Sequence, residues 1–227
     1  MRILPILFCL LLLGCGRPLV PEEKAFLADL QGPTFETSRI RLIETSLIGL
    51  NTREFAVRPQ TTCRERILPP PEGPTVQART AGLVLFHTVY VRPNWYVEDY
   101  LEGAPEQLPL MRAMFLAHEM THVWQWQNRD LTGYHPLRVA AEHTPGADPY
   151  LFQNDPDRAF LDYGFEQQAS LVEEFVCCNA VAPEGARTHR LAALLRQVMP
   201  LGAYDRHDAQ SRVLLPWGDA DLRGICD

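Results

Sequence analysis

The 227-residue sequence has no internal repeat, no low-complexity tract beyond a short proline stretch, and no cluster of Lys and Arg. With 46% hydrophobic and 22% charged residues it is neither collagen-like, nor a coiled coil, nor wholly disordered. The missing basic cluster, with a formal charge of −7 from 21 Lys+Arg against 28 Asp+Glu, argues against nucleic acid as a partner. No apolar run reaches the roughly 20 residues of a transmembrane helix. No Cys-x-x-Cys occurs, which argues against a cysteine-based metal site. Nineteen prolines point to long ordered loops.

The N-terminus is informative. Arg2 precedes an apolar run from Ile3 to Leu13, the length of a signal-peptide core. Leu12-Leu13-Gly14-Cys15 resembles the bacterial lipobox, in which the cysteine is acylated and becomes the new N-terminus. This predicts a lipoprotein signal peptide over 1–14, a tether over 15–20 and one domain over 21–227. The membrane would be held through lipid on Cys15, since several acyl chains anchor stably where one does not. The location would be the bacterial cell envelope, and Gly16, where an Asp would favour inner-membrane retention, points to the outer membrane. The cysteines left in that oxidising compartment are Cys63, Cys177, Cys178 and Cys226. Adjacent cysteines rarely bond to each other, so Cys63 and Cys226 are each expected to pair with one of Cys177 and Cys178.

Along the domain, Pro21-Glu22-Glu23 opens a short helix to about Leu30. Residues 39–50 read as one or two strands, 69–74 as a loop, and 82–92 as the clearest strand. A mostly buried helix runs from 110 to 128, uninterrupted by Gly or Pro. Residues 131–163 are loop-rich and suit a lid or pocket wall. Further helices are predicted over 164–182 and 184–199, with an irregular tail from 201.

The first long helix contains His118-Glu119-Met120-Thr121-His122. Residues four apart share a helix face, with Cβ atoms about 5–6 Å apart. Two imidazoles so placed can ligate one zinc ion, and Glu119 beside them can take a proton from an attacking water. His, Glu and His interrupt an otherwise apolar helix, and burying them is costly unless something pairs with them. A catalytic site needs a third protein ligand. The metzincin extension is absent, and His135 and His143 sit in proline-rich loops. The next helix offers Glu166, flanked by Phe165 and Ala169 and therefore inward-facing. Glu173 and Glu174 are expected to be solvated, with Glu173 as the reserve ligand. Two histidines on one helix and a glutamate on the next form the gluzincin pattern.

The sequence resembles the zincin-like metallopeptidases encoded near Vgr spike proteins and extracellular contractile injection systems. The matching stretches are residues 19–27, 38–42, Tyr90-Val91-Arg92-Pro93, 117–127 with Ala-His-Glu-Met-Thr-His-Val-Trp-Gln-Trp-Gln, and 162–172 with its Tyr-Gly-Phe-Glu-Gln-Gln-Ala core. The resemblance implies Zn2+ on His118, His122 and Glu166, with Glu119 as base. It implies an α+β, zincin-like fold: a small mixed or antiparallel sheet packed on the motif helix and a second ligand-bearing helix, with long loops. The lipobox, the cysteines of the domain and the residues after Val181 depart from that family. By analogy with zincins, the strand before the motif helix would bind extended peptide by strand addition. An oxyanion donor is also needed, with Tyr163, Tyr150, Tyr134 and His135 as candidates. Trp124 and Trp126 read as core or rim, and Thr121 and Gln125 as supports for the helix or its ligands.

Two functions follow. One is a lipid-anchored zinc metallopeptidase acting on peptide or protein substrates. The other is a zinc-stabilised scaffold or binding lipoprotein that cleaves nothing.

Overall fold

A computed structural model describes residues 16–144, 148–153, 155, 157–202 and 212–227. The signal segment 1–14 and Cys15 lie outside the described residues. The architecture is mixed α+β with small sheets. In chain order the helices are α1 (Pro21–Gln31), α2 (Cys63–Arg66), α3 (Leu110–Gln127), α4 (Arg129–Thr132), α5 (Pro136–Glu142), α6 (Phe165–Val181) and α7 (Ala186–Leu195). The strands are β1 (Arg41–Glu44), β2 (Arg53–Ala56), β3 (Thr75–Ala78), β4 (Gly82–Leu85), β5 (Thr88–Val91), β6 (Gln107–Pro109) and β7 (Arg212–Leu214).

α3 and α6 pack side by side and form the centre of the molecule. Fourteen of eighteen residues of α3 and thirteen of seventeen of α6 are buried, so neither helix keeps a solvated face. A helix apolar all round can only sit inside a core. Here Leu116, Ala117, Met120 and Val123 meet Leu171, Val172, Phe175 and Val176 in one cluster. No helix among the described residues is long and apolar enough to cross a membrane.

A three-stranded mixed sheet covers α3, in the order β1-β5-β4. β5 runs parallel to β1 and antiparallel to β4. Its alternation buries Val89 and Val91 completely. The predicted strand 82–92 is therefore a hairpin, turning at Phe86 and His87. Phe86 adopts φ 62° without a glycine, so the turn carries none of the usual residues. β2 and β3 form a separate antiparallel hairpin. β6 pairs parallel with β7, so the tail expected to be irregular returns to the start of α3.

The described residues of the segment 131–163 hold more regular structure than expected. α5 starts at Pro136, capped by the His135 ring, which accepts from Leu137 N at 3.2 Å. A 3-10 turn spans Phe160–Asp162. The predicted tether packs against the domain over residues 16–20. Arg17 bridges Leu42, and its guanidinium pairs with the fully buried Glu23 at 2.7 Å. A carboxylate so buried requires such a partner, and that holds the segment down. Cys63 pairs with Cys177 and Cys178 with Cys226, the cross-pairing the sequence suggested.

Candidate metal centre

α3 presents His118 and His122, one turn apart, to the first turns of α6. His118 Nε2 lies 3.3 Å and His122 Nε2 3.2 Å from the same atom, Glu166 Oε2. One donor atom from each of the three residues falls within 4.8 Å of the others, and all three residues are buried. Glu166, the residue expected as third ligand, thus lies within reach of both imidazoles.

The distal nitrogens are held by a second set of groups. His118 Nδ1 lies 3.0 Å from Glu173 Oε2, whose other oxygen accepts from Arg64 at 3.0 Å. His122 Nδ1 lies 2.9 Å from Gln125 Oε1. The Gln125 amide nitrogen is committed to Phe165 O and Gln168 Oε1, so its oxygen must accept from the ring. Both imidazoles therefore turn Nε2 toward Glu166. Anchoring the far nitrogen in this way is how proteins orient metal-binding histidines.

The charges fit a cation. Burial works against charge on His118, yet its hydrogen bonds to Glu166 and Glu173 outweigh this and push it up to about 10. Burial also opposes ionisation of Glu166, but His122 nearby and bonds from His118, His122 and His143 hold it well below the usual carboxylate range. Glu173 is lowered likewise by Arg64 and His118 against its burial. The pocket thus stabilises positive charge between these groups.

Two of the sequence expectations are corrected here. Glu173 and Glu174 are not solvated; they are 5% and 2% exposed, because α6 is covered on every side. Glu173 orients His118 and is not the reserve ligand. Glu174 accepts from Cys63 N at 2.9 Å and pairs with Arg187 at 2.9 Å. His143 approaches the centre from its loop: its Nε2 lies 2.8 Å from Glu166 Oε1, the oxygen turned away from the other histidines, and its Nδ1 meets Arg53 at 3.2 Å. The preceding Glu142 caps α6, accepting from Phe165 N at 2.8 Å and Glu166 N at 3.0 Å. A carboxylate at a helix N-terminus is favoured there.

Glu119 is buried beside His118, and loss of solvent raises its hold on a proton despite the nearby imidazoles. Its carboxylate lies against Gly82, where any Cβ would collide with it. Glu119 opens with His118, His143 and Tyr150 onto a cleft of about 670 Å³, walled also by Thr80, Ala81, Trp95, Phe115 and Phe152. Of the four oxyanion candidates, two flank the centre. The Tyr150 ring is 5.8 Å from those of His118 and His143, and the Tyr134 ring 6.2 Å from that of His122. Loss of solvent, then Glu166 and Glu119, raises both hydroxyls, which stay protonated donors. Tyr163 instead donates to Gln153 O, and His135 caps α5. Trp124 is core; Trp126 is rim, its ring beside Phe86 and under Arg129. Thr121 bonds back to Ala117 O within α3. Sequence reasoning missed Gln168, Glu142 and Gly82; only the spacing of Glu173 from Glu166 carried a signal for its role.

Sulfurs of Cys63, Cys178 and Cys226 also lie close together, but all three are in disulfides and offer no thiolate.

No protein-family model matches the chain. The type VI secretion system spike protein VgrG2b of Pseudomonas aeruginosa is 31% identical to it over 91 residues, 38% of this chain. The chain spans 8% of that spike protein's length. A solved structure, the effector domain of Pseudomonas aeruginosa VgrG2b, aligns with a TM-score of 0.49 and 22% identity, covering 81% of this chain and 83% of that one.

Proposed function

We propose that the chain is a zinc metallopeptidase of the gluzincin type, a zincin-like domain that His118, His122 and Glu166 equip with its cation. The observation that carries this is the meeting of two Nε2 atoms at one oxygen of Glu166, with each distal nitrogen held by a dedicated partner. Imidazole, imidazole and carboxylate form a donor set suited to zinc. When bound, zinc supplies Lewis acidity, polarising a peptide carbonyl and acidifying water.

The remaining work falls to the chain. Glu119 takes the proton of the attacking water and returns it to the leaving amine, and its raised proton affinity suits both transfers. Tyr150, in the cleft wall, and Tyr134, beside His122, are the candidate donors to the oxygen that becomes negative. β4 has a strand partner on one side only among the described residues, so an extended peptide can add to its free edge. The signals in residues 1–15 add a lipid on Cys15 and a place in the bacterial cell envelope. Similarity to VgrG2b supports the grouping with Vgr-associated proteins drawn from the motif.

The test is Glu119→Gln. The variant should keep about one zinc per chain and lose hydrolysis of a broad peptide panel by at least ~10²-fold. Activity surviving the change, or no activity in the parent, would reject the peptidase reading.

A further inference from the structure

Ion pairs are unevenly distributed around the cleft beside Glu119. Most carboxylates in its wall are matched: Glu65 and Asp148 by Arg58, at 2.9 and 2.7 Å, and Glu173 by Arg64 at 3.0 Å. Glu174 is matched by Arg187 at 2.9 Å. Two cations of the same wall, Arg53 and Arg79, form no ion pair among the described residues. They lie at one end of the β2–β3 hairpin, where Arg53 pairs with Ala78. Each guanidinium is steadied by one hydrogen-bond partner. Arg79 Nε donates to Thr52 Oγ1 at 2.8 Å, and Arg53 donates to His143 Nδ1 at 3.2 Å. Neither makes another hydrogen bond among the described residues, so their remaining N–H groups are available to the cleft. A guanidinium fork matches a carboxylate in shape as well as charge.

We propose that Arg53 and Arg79 form a carboxylate clamp, selecting substrates with an anionic carboxylate beside the bond to be cut. The inference deepens the peptidase reading and rests on it for the identity of the cleft. The carboxylate can belong to an Asp or Glu side chain or to a peptide C-terminus; both have the same chemistry.

Binding tests it independently of turnover. Short peptides carrying Glu, Gln or Lys at one scanned position, all C-terminally amidated, are titrated calorimetrically into the full chain bearing Glu119→Gln. A fourth peptide has Gln and a free C-terminus. At the best position the Glu peptide, or the free-terminus peptide if that is the source, should bind about tenfold tighter than the amidated Gln peptide, a difference typical of charge-assisted hydrogen bonds. Added Arg79→Ala with Arg53→Gln should bring that ratio to about one, and Arg79→Glu should turn preference toward the Lys peptide. A ratio near one in the parent, or a ratio the arginine variants leave unchanged, overturns the clamp. Cleavage of the same peptides by the unsubstituted chain separates the two ideas. Cleavage without acidic preference refutes the clamp alone, whereas preferential binding without cleavage refutes the peptidase reading alone.

Discussion

The α3–α6 seam and the wall formed by residues 53–82, 134–144 and 148–153 bound the same cleft with different material. In the seam, His118, His122 and Glu166 are buried and each has a further partner: His118 with Glu173, His122 with Gln125, Glu166 with His143. In the wall, strands are four residues long, β3 is exposed throughout, and Arg53 and Arg79 face solvent. Holding a cation requires atoms fixed to a fraction of an ångström, which long packed helices provide. Meeting varied substrates does not, and loops on a rigid scaffold serve for it. Under the proposed function, damage to the seam should lower metal affinity and stability, while damage to the wall should lower turnover alone.

The largest expected effect comes from separating the two. Cys63 in α2 is tied to Cys177 in α6 across 114 residues. Replacing both by Ala should lower stability by roughly 4 kcal/mol in urea titration, because the unfolded chain regains a long loop. A loss under ~1 kcal/mol would show that the wall is fixed to the seam by other contacts. Next comes Gly82→Ala on β4. The added methyl displaces the end of the Glu119 side chain, so turnover should fall by ~10²-fold while zinc content and thermal stability hardly move. A fall in zinc content would break the division between wall and seam.

The adjacent acids Glu173 and Glu174 sharpen the comparison within α6. Glu173→Gln should weaken zinc binding by ~10–100-fold, measured by chelator competition, because His118 loses the group that orients it. Glu174→Gln should leave zinc affinity alone and change the pH profile instead. Burial raises Glu174 to about 7, whereas an unfolded glutamate titrates near 4.5. The folded chain therefore holds an extra proton between these values. This stability is fully present below pH 4.5 and is lost as pH rises through 7. The difference in unfolding free energy between wild type and Glu174→Gln should thus decline across that window by roughly 2–3 kcal/mol; a flat difference would contradict the assignment.

The seam was far more legible than the wall. Two apolar runs without Gly or Pro announced α3 and α6, and the charged residues inside them could only be there for a partner. That reasoning reached His118, His122 and Glu166 but stopped at Glu173 and Glu174. Paired charges usually mark a solvated face, and only packing on all sides of α6 shows otherwise. The β2–β3 hairpin left no trace, since its exposed strands show no alternation of apolar and polar residues. The turn at Phe86 lacks glycine and asparagine, and the hairpin read as one strand. Glu142 and His143 reach the centre only through the docking of α5 on α6, a tertiary event with no local pattern.

Zinc-edge X-ray absorption of the zinc-loaded full chain addresses the seam itself. The account predicts only nitrogen and oxygen neighbours at about 2.0–2.1 Å, outer scattering from two imidazoles, and loss of an oxygen neighbour in Glu166→Ala. Sulfur neighbours at about 2.3 Å, or a spectrum that Glu166→Ala leaves unchanged, would contradict it.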